Sequence, residues 1–140
     1  MAISFFFHDT SIPLTERRRL KLYIVSLFEL HSKRLDSLSY VFCNDKFLLD
    51  INRKFLNHDF YTDIITFDMS ESKSLLKGEI YISVDRVQEN ARHLEVSVKE
   101  ELHRVIFHGA LHLCGFKDKS RADKVKMKLE EDRNLLKYLS

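Results

Sequence analysis

Glycine placement constrains this chain more than any other feature. There are three glycines in 140 residues, and two fall inside His108-Gly109-Ala110-Leu111-His112-Leu113-Cys114-Gly115-Phe116-Lys117-Asp118. A glycine in a helix interior costs about 1 kcal/mol against alanine, so Gly109 predicts a helix pressed against a neighbour or left open to a ligand. Gly115 is the residue type that ends a helix in the left-handed conformation and turns the chain back. The stretch thus predicts a helix running to Cys114, a tight reversal, and Asp118 returning beside the helix end. His108 and His112, four positions apart, share one helix face, because a turn takes about 3.6 residues. Two imidazoles and a carboxylate, with room for a water, form the donor set of an open, catalytic zinc site. A closed structural site would take a fourth protein ligand, usually Cys. The same His pair also suits an ordinary surface helix, and the turn after Gly115 permits Asp118 to reach a metal without requiring it.

Periodicity along the rest of the chain predicts one α+β domain spanning residues 1–140, a small mixed sheet of about four strands covered by about five helices. Ile3–Phe7 reads as a strand. Thr15 is placed to cap a helix with the stripe Leu20, Ile24, Leu27 and Phe28. Leu38–Cys43 reads as a strand with Tyr40 and Phe42 on one face, and Asn44 caps a helix carrying Phe47, Leu48, Ile51 and Phe55. A loop at Asn57–Tyr61 leads to strands Thr62–Phe67 and Gly78–Ser83. Three helices follow: Val84–Leu94, Ser97–Cys114, and one opening at Ser120 with Asp123 as an approximate capping box and the stripe Ala122, Val125, Leu129 and Leu136. On the histidine helix, Leu102, Ile106, Gly109 and Leu113 form the sheet-facing side, which leaves His108 and His112 between core and cleft. Glu101 lies on the histidine stripe but about 10 Å up the axis, out of ligand range; it reads as a surface residue, and His103 as a bystander.

The hydrophobic content of 44% and aromatic content of 11% describe an ordered globule. No run is long enough to span a bilayer and no signal peptide is evident, so two cysteines read as reduced thiols of a cytoplasmic protein. Cys114 points away from the histidine face and reads as a structural thiol. The net charge of +2 does not mark a general polyanion binder. Its distribution is more informative: Arg17, Arg18, Arg19 and Lys21 cluster early, and Lys117, Lys119, Arg121, Lys124, Lys126 and Lys128 follow the histidine motif. Basic residues beside a hydrolytic centre suit a phosphodiester, and Lys117, Lys119, Arg121 and Lys124 are the candidate contacts to its phosphates. A solvated helix face accounts for them equally well.

The His-x-x-x-His spacing with a later glycine is similar to that of the metzincin peptidases, but those carry a Glu directly after the first His as general base. Gly109 occupies that position here. Metal ligation survives this comparison; the peptidase mechanism does not.

The segment His108–Phe116 resembles the signature of the YbeY family of bacterial rRNA maturation factors, usually His-Gly-x-Leu-His-Leu-x-Gly-Tyr-Asp-His. Asn52 with Thr62-Asp63-Ile64-Ile65-Thr66-Phe67, and Gly78-Glu79-Ile80-Tyr81-Ile82-Ser83, resemble two further family blocks in the same order. The resemblance implies a metal-dependent single-strand endoribonuclease, usually a zinc protein. It implies action on ribosomal RNA and the small ribosomal subunit, in 3′-end maturation and quality control, on a small mixed sheet with helices around it. His108 and His112 carry over as metal ligands, with Asp118 standing where the family usually has its third His and Lys117 where it has Asp. A carboxylate ligand lowers the positive charge of the site and eases acceptance of other divalent metals. The family commonly has a catalytic Arg where this chain has Leu56; Arg53, one turn earlier, is the candidate substitute. Asp68 replaces a usual Pro and could bring a carboxylate near the cleft, as could Asp59 and Asp63, for which turn or capping roles are equally open. Two further readings stand beside the endoribonuclease: a non-catalytic ribosome-assembly factor braced by a structural metal, and a metallohydrolase of another substrate.

Overall fold

A computed structural model describes residues 2–140. The elements run in the order β1 (Ile3–Phe7), α1 (Arg17–Leu30), β2 (Arg34–Cys43), α2 (Asp45–Leu56), β3 (Ile64–Asp68), β4 (Leu75–Ser83), α3 (Val84–Leu94), α4 (Val98–Leu113) and α5 (Arg121–Leu139). The four strands form one mixed sheet in the order β1-β2-β4-β3, with β1–β2 and β2–β4 parallel and β3–β4 antiparallel. This is the α+β architecture that the sequence pattern predicts.

Alternation along the strands decides which helix covers which face. Leu38, Tyr40 and Phe42 of β2 join Ile80 and Ile82 of β4 in the main core beneath α1 and α4. On the opposite face, Cys43, Leu48 and Ile65 make a small second cluster with Phe47, Ile51, Phe67 and Tyr81, which seats α2. Helix α4 is the centre of the fold. Leu102, Ile106, Phe107, Ala110 and Leu111 are fully buried, and the Tyr40 hydroxyl donates to the Ile106 carbonyl at 2.9 Å, tying the helix to β2. The close approach predicted for Gly109 is real: a Cβ there would lie 2.9 Å from Ile80 Cδ1 and 3.0 Å from Ile64 Cδ1. The helix therefore sits lower on β3 and β4 than any side chain would permit.

Caps follow the predicted chemistry at most helix starts. Asn44, Ser83, Ser97 and Ser120 each accept a backbone N–H from the third residue on. Helix α1 departs from expectation. Glu16, in left-handed conformation at φ 53°, takes the capping position without a side-chain bond, so the helix begins at Arg17, one residue too late for Thr15. Strands β2 and β4 also extend further toward their N-termini than alternation predicts, because Arg34 and Leu35 pair with Leu75 and Leu76.

Two apolar stripes are corrected. Helix α2 turns Leu48, Leu49 and Asn52 inward and leaves Phe55 at 59% exposure. Helix α5 buries Met127, Glu131, Asn134, Leu135 and Tyr138, while Val125, Leu129 and Leu136 face solvent. Polar bonding selects that face: the Tyr23 hydroxyl donates to Asn134 Oδ1 at 2.6 Å, and Arg104 and His108 of α4 both donate to Glu131.

Candidate active site

The C-terminal end of α4 is built as its glycine predicts. Cys114 closes the helix and Gly115 follows at φ 105°. The Gly115 N–H donates to the His112 carbonyl and the Phe116 N–H to the Leu111 carbonyl, both at 3.1 Å. This paired reversal satisfies helix-end carbonyls and folds Phe116 back onto the core. It also returns Asp118 across the helix face, where Asp118 Oδ2 lies 3.3 Å from His108 Nε2.

His108, His112 and Asp118 line one cavity of about 340 Å³, together with Thr62, Asp63, Ile64 and Thr66 from the β3 side, Glu101, Arg104 and Val105 from α4, and Glu131 from α5. The His108 and His112 rings lie parallel with centroids 6.4 Å apart. His108 Nδ1–H donates to Glu131 Oε2 at 2.7 Å, which leaves Nε2 as the ring's free position, turned to Asp118. Arg104 holds Glu131 in turn, with Nη1 at 3.2 Å from Glu131 Oε1 and 3.0 Å from Asp132, and Nε at 3.5 Å from Glu101.

Charge in the cavity is out of balance. Asp63, Glu101, Asp118 and Glu131 face Arg104 and the two histidines. Burial raises the Asp63 carboxyl, with His108 opposing. Burial pushes Glu101 up to about 7, against the pull of Arg104. For His108, burial works against the charged form but is outweighed by the bond to Glu131 and by the carboxylates of Glu131, Asp118 and Asp63, so its pKa is raised. The Asp63 and Glu101 shifts report burial above all, and the His108 shift reports the carboxylates around it. Glu101 Oε1 is buried with no hydrogen-bond partner. Glu101 is thus a buried wall of the cavity, 4% exposed, rather than the surface residue its position predicts.

Two of the three expected donors, His108 and Asp118, stand at a spacing that suits a small divalent cation. Zn–N and Zn–O bonds near 2.0–2.1 Å in a tetrahedron set ligand atoms about 3.3 Å apart, and His108 Nε2 and Asp118 Oδ2 are at 3.3 Å. A His that donates its other ring N–H to a carboxylate is the usual outer arrangement of such ligands. No three His, Cys, Asp or Glu side chains among the described residues are grouped closely enough to share one ion. The exposed His112 ring must turn toward the pair to become the third ligand.

Other predicted positions lie elsewhere. Arg53 is exposed, bonded to Asp59 and 4.0 Å from Asp50, and does not line the cavity. Asp59 is thereby engaged outside the cleft, whereas Asp63 lines it. Asp68 accepts the Ser70 N–H at 3.0 Å in the β3–β4 turn, away from the cavity. Lys117, Lys119, Arg121 and Lys124 are exposed and none lines the cavity. His103 is buried, donates to the Lys99 carbonyl at 2.7 Å and stacks on Tyr138, in keeping with a structural part. Arg104 and Glu131 are the site residues that the sequence reading missed. The available signal was the Met127, Glu131, Leu135, Tyr138 spacing of α5, in which a polar residue occupies an inward position.

A histidine-bearing acidic cleft beside a mixed sheet is the site of a hydrolytic enzyme in form. The model of the Endoribonuclease YbeY family matches residues 8–139. Relatives named Endoribonuclease YbeY include one from Cytophaga hutchinsonii, 46% identical over 95% of this chain and 93% of its own length. Another, from Porphyromonas gingivalis, is 43% identical over 96% of this chain and 88% of its own. The solution structure of TM1509 from Thermotoga maritima shares the fold at 22% identity, with a TM-score of 0.62 over 97% of this chain and 88% of that one. The chain belongs to the Endoribonuclease YbeY family.

Proposed function

We propose that this protein is a metal-dependent endoribonuclease that cleaves single-stranded RNA in 3′-end maturation of small-subunit rRNA and in ribosome quality control, acting in the cytoplasm. His108, His112 and Asp118 are the metal ligands, and zinc is the metal that best suits two imidazoles and one carboxylate. The single observation that carries this reading is the 3.3 Å pairing of His108 Nε2 with Asp118 Oδ2, in a cavity with more carboxylates than cations. Membership of an endoribonuclease family supports RNA as the substrate.

A divalent ion supplies Lewis acidity and brings the pKa of water toward neutrality. The chain's own groups do the rest. Glu131 holds the His108 ring through Nδ1, so that Nε2 is the nitrogen that would turn a lone pair to a bound metal. Arg104 fixes Glu131 and offsets part of the carboxylate charge that would otherwise repel a phosphodiester. Glu101, held up to about 7, can take up or release a proton near neutral pH at the cavity wall. Ile64 and Val105 form apolar wall beside these groups.

Metal content by mass spectrometry, read beside cleavage of a single-stranded RNA, tests the proposal. The expected result is one equivalent of metal in the wild type, lost together with cleavage in His112→Ala and Asp118→Ala. Wild-type protein that takes up no zinc or other divalent ion on reconstitution would remove this mechanism and leave the assembly-factor reading. Depletion of the protein in its host should lengthen the 3′ ends of small-subunit rRNA; unaltered ends would sever the link to ribosome maturation.

A further inference from the structure

We infer that Phe60 and Tyr61, next in the chain to the cavity wall, form a stacking platform for the bases of single-stranded RNA. Large exposed apolar side chains scattered singly are ordinary. Here Phe55 (59%), Leu56 (39%), Phe60 (56%) and Tyr61 (52%) crowd one short stretch of chain, and three of the four are aromatic. The two platform residues immediately precede Thr62 and Asp63, which line the cavity.

Their backbone is anchored, and each ring keeps about half of its surface in solvent. The buried Asn52 side chain donates from Nδ2 to the Phe60 carbonyl at 2.9 Å. Asn57 turns the chain in left-handed conformation at φ 55°, with the His58 N–H donating to the Asn52 carbonyl at 3.1 Å. Beyond the platform, the Ser83 N–H donates to the Asp63 carbonyl at 2.9 Å. Both ends of the segment are thus fixed to the scaffold while the side chains project into solvent. His58 stacks on Phe60 with centroids 5.1 Å apart. The Arg86 guanidinium, held by Asp45 at 3.2 Å, lies 5.0 Å from the Tyr61 ring centre.

Exposed rings on a fixed backbone beside a guanidinium are what bases of an unpaired strand bind without sequence preference. The occupant follows from continuity with the cavity. A strand whose phosphodiester enters the cavity must lay its neighbouring bases across the segment that joins the cavity wall. The cavity itself offers bases no aromatic surface, since it is lined by carboxylates, threonines, aliphatic side chains, Arg104 and the histidines. This inference rests on the endoribonuclease reading.

The test is fluorescence anisotropy of the full-length protein, in chelator to stop cleavage, with a short labelled single-stranded RNA and an abasic strand of equal length. The variants are Phe60→Leu, Tyr61→Leu and the double substitution, which keep apolar bulk and the main-chain bond to Asn52. Wild type should bind the base-bearing strand about tenfold or more tightly than the abasic one. The double variant should bind the two alike, each single variant lying between, with unchanged melting temperatures. Double-variant affinity for base-bearing RNA equal to that of wild type would overturn the platform and leave these rings to a protein contact. Wild type that neither binds nor cleaves RNA would instead overturn the endoribonuclease reading, a failure seen before any variant is made.

Discussion

Helices α4 and α5 border the same cavity and contribute to it by opposite rules. Helix α4 is buried on most sides, so its apolar residues meet the sheet and neighbouring helices wherever they point, and its polar residues other than the buried His103 mark the one open side. Helix α5 has a single buried side, and that side carries Glu131 and Asn134 among Met127, Leu135 and Tyr138. Its exposed side carries Val125, Leu129 and Leu136. Apolar periodicity therefore locates the inner face only when no polar residue has a partner waiting inside. In α5 the partners are Tyr23, Arg104 and His108, and their bonds outweigh the few aliphatic groups left in water.

The largest expected effect belongs to the α4 side of the cavity. His108→Ala should lower RNA cleavage by about 100-fold or more and remove the bound metal, measured by gel assay beside metal analysis. Retained cleavage would place the chemistry outside this cavity.

The two faces of α5 are separated by stability measurements. Met127→Ala, at 2% exposure, should cost about 2–4 kcal/mol in denaturant unfolding. Leu129→Ala, at 61% exposure, should stay within about 0.5 kcal/mol. Equal costs would mean that the exposed stripe is covered in solution.

Glu131→Gln sharpens the link between the two helices. It keeps the shape and an acceptor oxygen but removes the charge that orients His108 and pairs with Arg104. Zinc affinity, read by chelator competition, should fall about 10- to 100-fold. Unchanged affinity would reduce Glu131 to a packing contact.

The smallest effect is a pH slope. Burial raises the folded-state pKa of Glu101 from 4.5 to about 7, so its contribution to stability is fully present below 4.5 and is lost as pH rises through about 7. In metal-free protein, Glu101→Gln should flatten the decline in stability across that window. A slope identical to wild type would show that Glu101 is already ionised in the fold.

The misread residues do not share one cause. Glu101 is of a type that is ordinarily solvated, yet it lines the cavity with α5 and β3-side residues across from it. Thr15 lost its cap role to a left-handed Glu16 one residue on. Arg53 lies one turn before the position of the family's Arg, but Asp59 and Asp50 hold it at the surface. For Glu101 a partner distant in the chain, and for Thr15 a single backbone angle, overrode a correct local preference; Arg53 is held by carboxylates close to it in the chain.

By itself the sequence determined the order of the nine elements of the described residues, the face of α4 that meets the sheet, and the helix-ending turn at Gly115, which permits the approach of Asp118 to His108 that the structure shows. These depend on local physics: strand and helix periods, capping side chains, and the backbone freedom of glycine. Tertiary structure alone decided the inner face of α5, the Glu131–His108–Arg104 network and the burial of Glu101. Those depend on which polar groups meet across elements far apart in the chain. A buried hydrogen bond between them is strong enough to turn a helix whose own apolar pattern is weak.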